Sequence, residues 1–135
     1  LVRYNERTNI YAQSSYEHLP FHVLDSVTLG LAIAESATAA ASGVLDLGSG
    51  SGLPSVLIAA VNPELPVYAV ESKSRKTRFL KQVSRKLELP LYTPLTQNVH
   101  ELSASWARRH VTRARAALAH QSTRPANRPV CSRVR

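Results

Sequence analysis

Between Asp46 and Gly52 the chain reads Asp-Leu-Gly-Ser-Gly-Ser-Gly, and no other stretch so narrows what it can fold into. It is entered from Gly43 through a short apolar run, Val44 to Leu47, and left through Leu53 and Pro54 into Val56 to Val61, which Asn62 and Pro63 stop. An apolar tetrad between glycines reads as a strand buried on both faces, the pattern of a parallel sheet. Proline in a first helical turn and Asn-Pro after the last are position-specific helix signals. The order is therefore strand, glycine loop, helix. A second β-prone run, Val67 to Val70, ends in Glu71 and is expected to lie parallel to the first. Another helix follows, with Ser72 as its expected N-cap and Phe79, Leu80, Val83 and Leu87 on one face. Leu91 to Thr96 reads as a third strand, which Pro94, lacking a ladder donor, confines to an edge or a bulge.

The flanks are simpler. Leu1 to about Ala41 is polar at first and apolar from Leu19 to Ile33, at spacings that suggest short helices, with Thr38 to Ser42 as a connector. The reading is a helical segment over 1–42, a sheet-and-loop unit over 43–102 and a tail over 103–135 in which strand-like runs are absent and disorder is the expectation. At 135 residues there is room for one domain. No apolar run approaches the roughly 20 residues that span a bilayer, and the lone Cys131 forms neither an internal disulfide nor a thiolate metal site, so a soluble intracellular protein is expected. The net charge of +8 invites a nucleic-acid reading, but residues 1–102 hold nine Lys or Arg against nine Asp or Glu. The excess lies wholly in 103–135, which carries eight Arg and no acid.

The glycine loop joins an acid at a strand end to a helix start. Glycines there open dihedrals closed to other residues and let a ligand approach main-chain N–H groups, while the helix N-terminus offers partial positive charge. Glu71 closes the next strand, the place where such folds use an acid to accept hydrogen bonds from ribose hydroxyls. Taken alone, Gly-Ser-Gly-Ser-Gly also reads as a flexible turn; strand before, helix after and acid one strand away favour a nucleoside site. A dinucleotide site would want G-x-G-x-x-G, whereas the third glycine here comes two residues after the second and Leu53-Pro54 follows. S-adenosylmethionine is thus favoured over NAD. His22 and Asp25 are read evenly as shaping the site or as helix residues with ordinary packing roles, and Trp106 and Cys131 carry no functional reading.

Three stretches resemble the 16S ribosomal RNA guanine-N7 methyltransferase G family, also called glucose-inhibited division protein B. Asn5 to Ile10 with His22 to Val27, Val44 to Pro54 with its distinctive Leu-Pro after the last glycine, and Glu71 to Val83 carry the likeness, which covers about residues 1 to 102. The resemblance implies a Rossmann-like class I S-adenosylmethionine-dependent methyltransferase fold of α/β class, here incomplete, with the first two or three parallel strands present and the C-terminal part missing. It implies transfer of a methyl group to N7 of a guanine in small-subunit ribosomal RNA. It assigns S-adenosylmethionine to Asp46, Gly48, Ser49, Gly50, Gly52, Leu53, Glu71, Val99, His100 and Glu101. The family commonly reads R-x-E-E after the third strand, and Asn98 here stands where Arg is expected.

Lys73, Arg75, Lys76, Arg78 and Lys81, continued by Arg85 and Lys86, form an acid-free stretch beside that site, where RNA phosphates would gain from counterion release. The same run also reads as a solvated helix face. The partner implied is small-subunit ribosomal RNA, with no membrane, no metal and a monomeric state, in a bacterial cytoplasm or, for a eukaryotic source, a chloroplast or mitochondrial matrix. Two other classes remain beside this one: a non-catalytic RNA-binding fragment, and a nicotinamide-dependent oxidoreductase fragment.

Overall fold

The structure, a computed structural model, describes residues 1–36 and 43–102. The expected connector at 38–42 and the tail over 103–135, with Trp106 and Cys131, lie outside the described residues. Helix α1 (Val2–Thr8) leads through a 3-10 turn (Gln13–His18) into α2 (Leu19–Ala34); then come β1 (Val44–Leu47), α3 (Ser55–Val61), β2 (Val67–Glu71), α4 (Ser74–Lys86), β3 (Tyr92–Thr96) and a short 3-10 turn (Val99–Glu101). Where spacings suggested several short helices, α2 is one helix of 16 residues. Gly30 lets it run closely past α3, and the Asn62 side chain donates to the Gly30 carbonyl across that crossing at 2.9 Å.

The three strands are parallel and ordered β1-β2-β3. Among the described residues this is an open parallel sheet of Rossmann type, as the strand-loop-helix order leads one to expect. Val44 stands opposite Val67, and Val67 opposite Tyr92. Side chains alternate along a strand, so Val44, Asp46, Val67, Ala69, Glu71 and Tyr92 share one face. The main apolar cluster forms there: Val67, Ala69 and Tyr92 meet Val56, Ile58 and Ala59 of α3 and Phe79 and Leu80 of α4. Helix α1 reaches the same cluster through Tyr4, whose ring centroid lies 4.7 Å from that of Phe79.

Among the described residues Pro94 does sit on an edge strand. Its neighbours in the ladder show why it is tolerated: Gln97 N–H donates to the Glu71 carbonyl and the Leu91 carbonyl accepts from Val67 N–H, so odd-numbered residues of β3 face β2. Pro94 is therefore turned outward, where its missing donor costs nothing in the ladder.

Two expectations about α4 need correction. Ser72 is not its N-cap: Lys73 takes that position without a side-chain cap, and the Ser72 hydroxyl instead donates to Glu71 Oε1 at 3.3 Å. The carboxylate of Glu71 accepts the N–H of Lys73, the N-cap residue itself, at 2.8 Å, which ties the start of α4 to the end of β2. Leu87 is not on the buried face, being 51% exposed; the helix ends at Lys86, the chain turns through Glu88 at φ 52°, and Leu89 enters the core instead.

Candidate functional site

Everything that the sequence marked in the glycine loop emerges at the carboxyl ends of the strands. Gly48 and Ser49 both donate backbone N–H to the Val70 carbonyl, at 2.8 and 3.0 Å, which folds the loop from β1 over the end of β2. Gly52 N–H closes the turn on the Ser49 carbonyl at 2.7 Å, and Val56 N–H returns to the Gly52 carbonyl at 2.8 Å to start α3. The Leu53–Pro54 peptide is cis. Gly52 has φ 88°, and a Cβ there would sit 2.6 Å from Val56 Cγ2 and 2.8 Å from Leu80 Cδ2, so it is glycine both for its dihedral and for close packing. Gly48, at φ 78°, has open space where a Cβ would be.

Glu71 is 94% buried by its own fold, being 6% exposed, and it joins the two strand ends. Its Oε2 accepts the Gly50 N–H at 3.0 Å while Oε1 accepts the Lys73 N–H. Asp46 is half-buried, and its Oδ2 is shut away from solvent with no hydrogen-bond partner. Behind it the Tyr92 hydroxyl meets that of Ser55 at 3.1 Å. Burial pushes the Tyr92 phenol well above its ordinary value; the Ser55 hydrogen bond opposes this and the Asp46 charge adds to it.

The expected residues divide on inspection. Gly48, Gly50, Glu71 and Asp46 are brought together. Ser49 turns its hydroxyl inward, to the Asp46 and Val70 carbonyls at 3.1 and 3.4 Å, and so serves the loop's own shape. Leu53 faces an apolar recess with Leu19, Val23, Phe79 and Val83. Val99, His100 and Glu101 form an exposed turn beyond β3, held by the Asn98 side chain accepting the His100 N–H at 3.1 Å. His22 is engaged by Tyr11, whose hydroxyl lies 2.9 Å from Nδ1, and Asp25 is exposed. Among the described residues neither hydrogen-bonds to the loop.

The cations divide as well. Lys73, Arg75, Arg78, Lys81, Arg85 and Lys86 are exposed, whereas Lys76 is half-buried, with Nζ lying 3.9 Å from where a Gly50 Cβ would be. One residue escaped the sequence reading. Gln97, immediately beyond β3, donates its N–H to the Glu71 carbonyl at 3.1 Å and holds a buried Oε1 without a partner. The available signal was its position: a polar residue ending the third strand, as Glu71 ends the second.

Among the described residues no group of three or more His, Cys, Asp or Glu is placed to hold a metal ion, and no helix is long and apolar enough to cross a membrane. Comparison with known proteins agrees with the geometry. The family model for rRNA small subunit methyltransferase G (GidB) matches residues 1–127, extending past residue 102. Proteins named ribosomal RNA small subunit methyltransferase G are similar to this chain: that of Methylibium petroleiphilum is 36% identical over 104 residues, 76% of this chain and 47% of its own length. That of Xanthomonas axonopodis pv. citri is 40% identical over 90 residues, 66% of this chain and 40% of its own. That of Paracoccus denitrificans is 35% identical over 103 residues, 76% of this chain and 51% of its own. The chain spans about half the length of the curated relatives it matches. Glycine loop, strand-end acid and sequence likeness converge: this chain belongs to the rRNA small subunit methyltransferase G family.

Proposed function

We propose that this chain carries the S-adenosylmethionine-binding half of a methyltransferase that acts on N7 of a guanine in small-subunit ribosomal RNA. The observation that carries the reading is the Glu71 carboxylate 3.0 Å from the Gly50 N–H, which puts the acid of β2 against the glycine loop of β1. The residues present fit the cofactor. Asp46 Oδ2 is a buried acceptor waiting for a donor, and the space at Gly48 admits a ligand against the backbone. Glu71 already accepts the Gly50 and Lys73 N–H groups and the Ser72 hydroxyl, which leaves about one lone-pair site, on Oε2, for a ribose hydroxyl. Gly48, Gly50, Gly52 and the neighbouring Asp46, Ser49 and Leu53 would hold the amino-acid end, and Val99, His100 and Glu101 would border the base.

When bound, the cofactor supplies an electrophilic methyl group. Guanine N7 has an exposed lone pair, so no proton has to be removed before attack, and the work left to the protein is orientation and exclusion of water. Positioning of the RNA falls to Lys73, Arg75, Arg78 and Lys81, with Lys76 at the margin between RNA and loop. These cations oppose the helix dipole, because Lys73, Arg75 and Lys76 crowd the positive end of α4, where acids are favoured. A stretch that works against its own helix electrostatics is better explained by an anionic partner than by solvation. The same exposed face favours, as a second reading, an RNA-binding fragment without catalysis, working in the cytoplasm where ribosomal RNA is met.

Isothermal calorimetry with S-adenosylhomocysteine on this chain and on Glu71→Gln tests the cofactor site. Losing a charged hydrogen bond is worth about 1.5–3 kcal/mol, so the variant should bind about 10- to 100-fold more weakly. Equal affinity would refute the site. RNA binding that is indifferent to cofactor and to Glu71 would favour the second reading.

A further inference from the structure

Where α1 and the 3-10 turn after it meet the first turn of α4 there is an open recess of about 440 Å³, lined by Asn5, Glu6, Thr8, Asn9, Gln13 and Arg75. Every lining residue is polar. Two of them hold the walls: Asn5 accepts the Ile10 and Tyr11 N–H groups and donates to the Tyr16 hydroxyl, and the Thr8 hydroxyl donates to the Tyr4 carbonyl at 2.6 Å. The backbone between them is fixed, with Asn9 in the left-handed region at φ 45°, so the recess exists before anything enters it. The other four residues are exposed, and among the described residues the side chains of Glu6, Asn9, Gln13 and Arg75 have no hydrogen bond or ion pair. Glu6 and Arg75 thus face one recess without pairing, a carboxylate and a guanidinium both open to a ligand, with two amides beside them. Such a lining suits a flat polar base that carries a phosphate, because carboxylate and amides match ring donors and acceptors while the guanidinium takes the anion.

We propose that this recess holds one unpaired guanine nucleotide of the RNA strand, a neighbour of the guanine that is methylated. This rests on the RNA reading above. Single-stranded RNA is recognised by bases splayed out and bonded along their Watson–Crick edges. Guanine alone among the four bases presents two adjacent donors there, N1–H and the N2 amino group, which a carboxylate accepts in parallel; Glu6 does this, the Asn9 or Gln13 amide donates to O6, and Arg75 takes the phosphate. Adenine places an acceptor at N1 and leaves Glu6 opposed by a lone pair. The base in the recess is not the one attacked. A reacting N7 must lie about 3 Å from the methyl group, yet neither Glu71 nor any residue of the glycine loop lines the recess. Arg75 nevertheless directly precedes Lys76, whose Nζ lies beside Gly50, so the two places adjoin along one strand.

Fluorescence anisotropy of the full chain with labelled oligouridine RNAs that carry a single central guanine, hypoxanthine or adenine provides the test. The wild-type chain should prefer guanine to adenine about tenfold, with hypoxanthine, which keeps N1–H but lacks the amino group, in between. Glu6→Gln, at an exposed position, should melt as the wild type does and bind the three RNAs about equally, by weakening the guanine RNA. A central 7-deazaguanine, which cannot accept the methyl group at all, should be bound with the same dependence on Glu6. A preference that Glu6→Gln leaves intact, equal binding of all three RNAs by the wild type, or a dependence on Glu6 that disappears with 7-deazaguanine overturns the inference while leaving the RNA reading standing. Full displacement of the guanine RNA by an equal concentration of guanosine monophosphate also overturns it, since the recess would then serve a free nucleotide. A wild-type chain that binds none of the RNAs defeats the RNA reading itself.

Discussion

Ser55 and Tyr92 are 0% and 4% exposed, and the hydrogen bond between their hydroxyls ties the first residue of α3, just past the glycine loop, to the first of β3. The bond matters because both oxygens are shut away from water. Replacing Tyr92 by Phe leaves the Ser55 hydroxyl alone in the core, which should cost about 1 kcal/mol at neutral pH. The same burial makes Tyr92 a pH probe of the fold. Its phenol keeps its proton well above the ordinary tyrosine value of about 10, chiefly because the charged form is desolvated. In this pH range the folded state therefore binds more protons than the unfolded chain, and stability must fall as pH rises. The contribution is complete below about pH 10 and drains away above it. Thermal melts across that range should show the wild-type chain losing stability faster than Tyr92→Phe; parallel curves would show that the phenol is not in the core. None of this was legible beforehand. The partners lie 37 positions apart, and neither a serine after Pro54 nor a tyrosine in a proline-broken run carries a signal of the other.

Helix α4 was legible on one face and only partly on the other. Phe79, Leu80 and Val83 repeat at helical spacing, so their inward side follows from periodicity, and Thr77 joins them inside because it lies on the same stripe. Periodicity does not report where a helix stops, and Leu87 was misassigned because the left-handed turn at Glu88 falls on a residue whose type does not announce it. Nor does charge report direction: seven cations in one acid-free run read alike, while the structure sets Lys76 beside Gly50 and leaves the rest outward. If the outward face tracks RNA phosphates, affinity must depend on salt in proportion to the contacts made. For single-stranded RNA each phosphate contact adds about 0.7 to the slope of log affinity against log salt. Replacing Lys73, Arg75 and Arg78 together by Gln should therefore lower the slope by about 2, measured with a short labelled RNA over a salt series. A slope unchanged by the triple substitution would make this a solvated face, with RNA affinity coming from other cations of the chain.

At the scale of the whole molecule, the order of elements from Val44 to Thr96 could be read from sequence because each boundary is marked locally, by glycine, proline or an acid at a strand end. The N-terminal clasp could not. There the buried Asn5 accepts the Ile10 and Tyr11 N–H groups at 2.6 and 2.8 Å and donates to the Tyr16 hydroxyl, a hub that depends on three turns folding together. The described part is a three-stranded sheet with Phe21, Leu24 and Leu31 exposed on α2 and Leu47 exposed on β1. Such a sheet covers little apolar area for its length, so the fold should be of low intrinsic stability. Low stability makes ligand linkage easy to see. A ligand that binds only the folded state, at a free concentration 100 times its dissociation constant, adds about 2.7 kcal/mol. For a domain of this size each kcal/mol shifts the melting midpoint by about 4–8 °C, so S-adenosylhomocysteine at that level should raise it by about 10–20 °C. At the same ligand concentration Glu71→Gln, binding about 10- to 100-fold more weakly, should gain only about 0.4–1.4 kcal/mol, and its rise should be about half of the wild-type rise or less. A shift undiminished in Glu71→Gln would mean that the stabilising ligand sits somewhere other than the loop between β1 and α3. A wild-type chain that melts without any shift would mean that the loop, although folded over Glu71, does not grip a nucleoside.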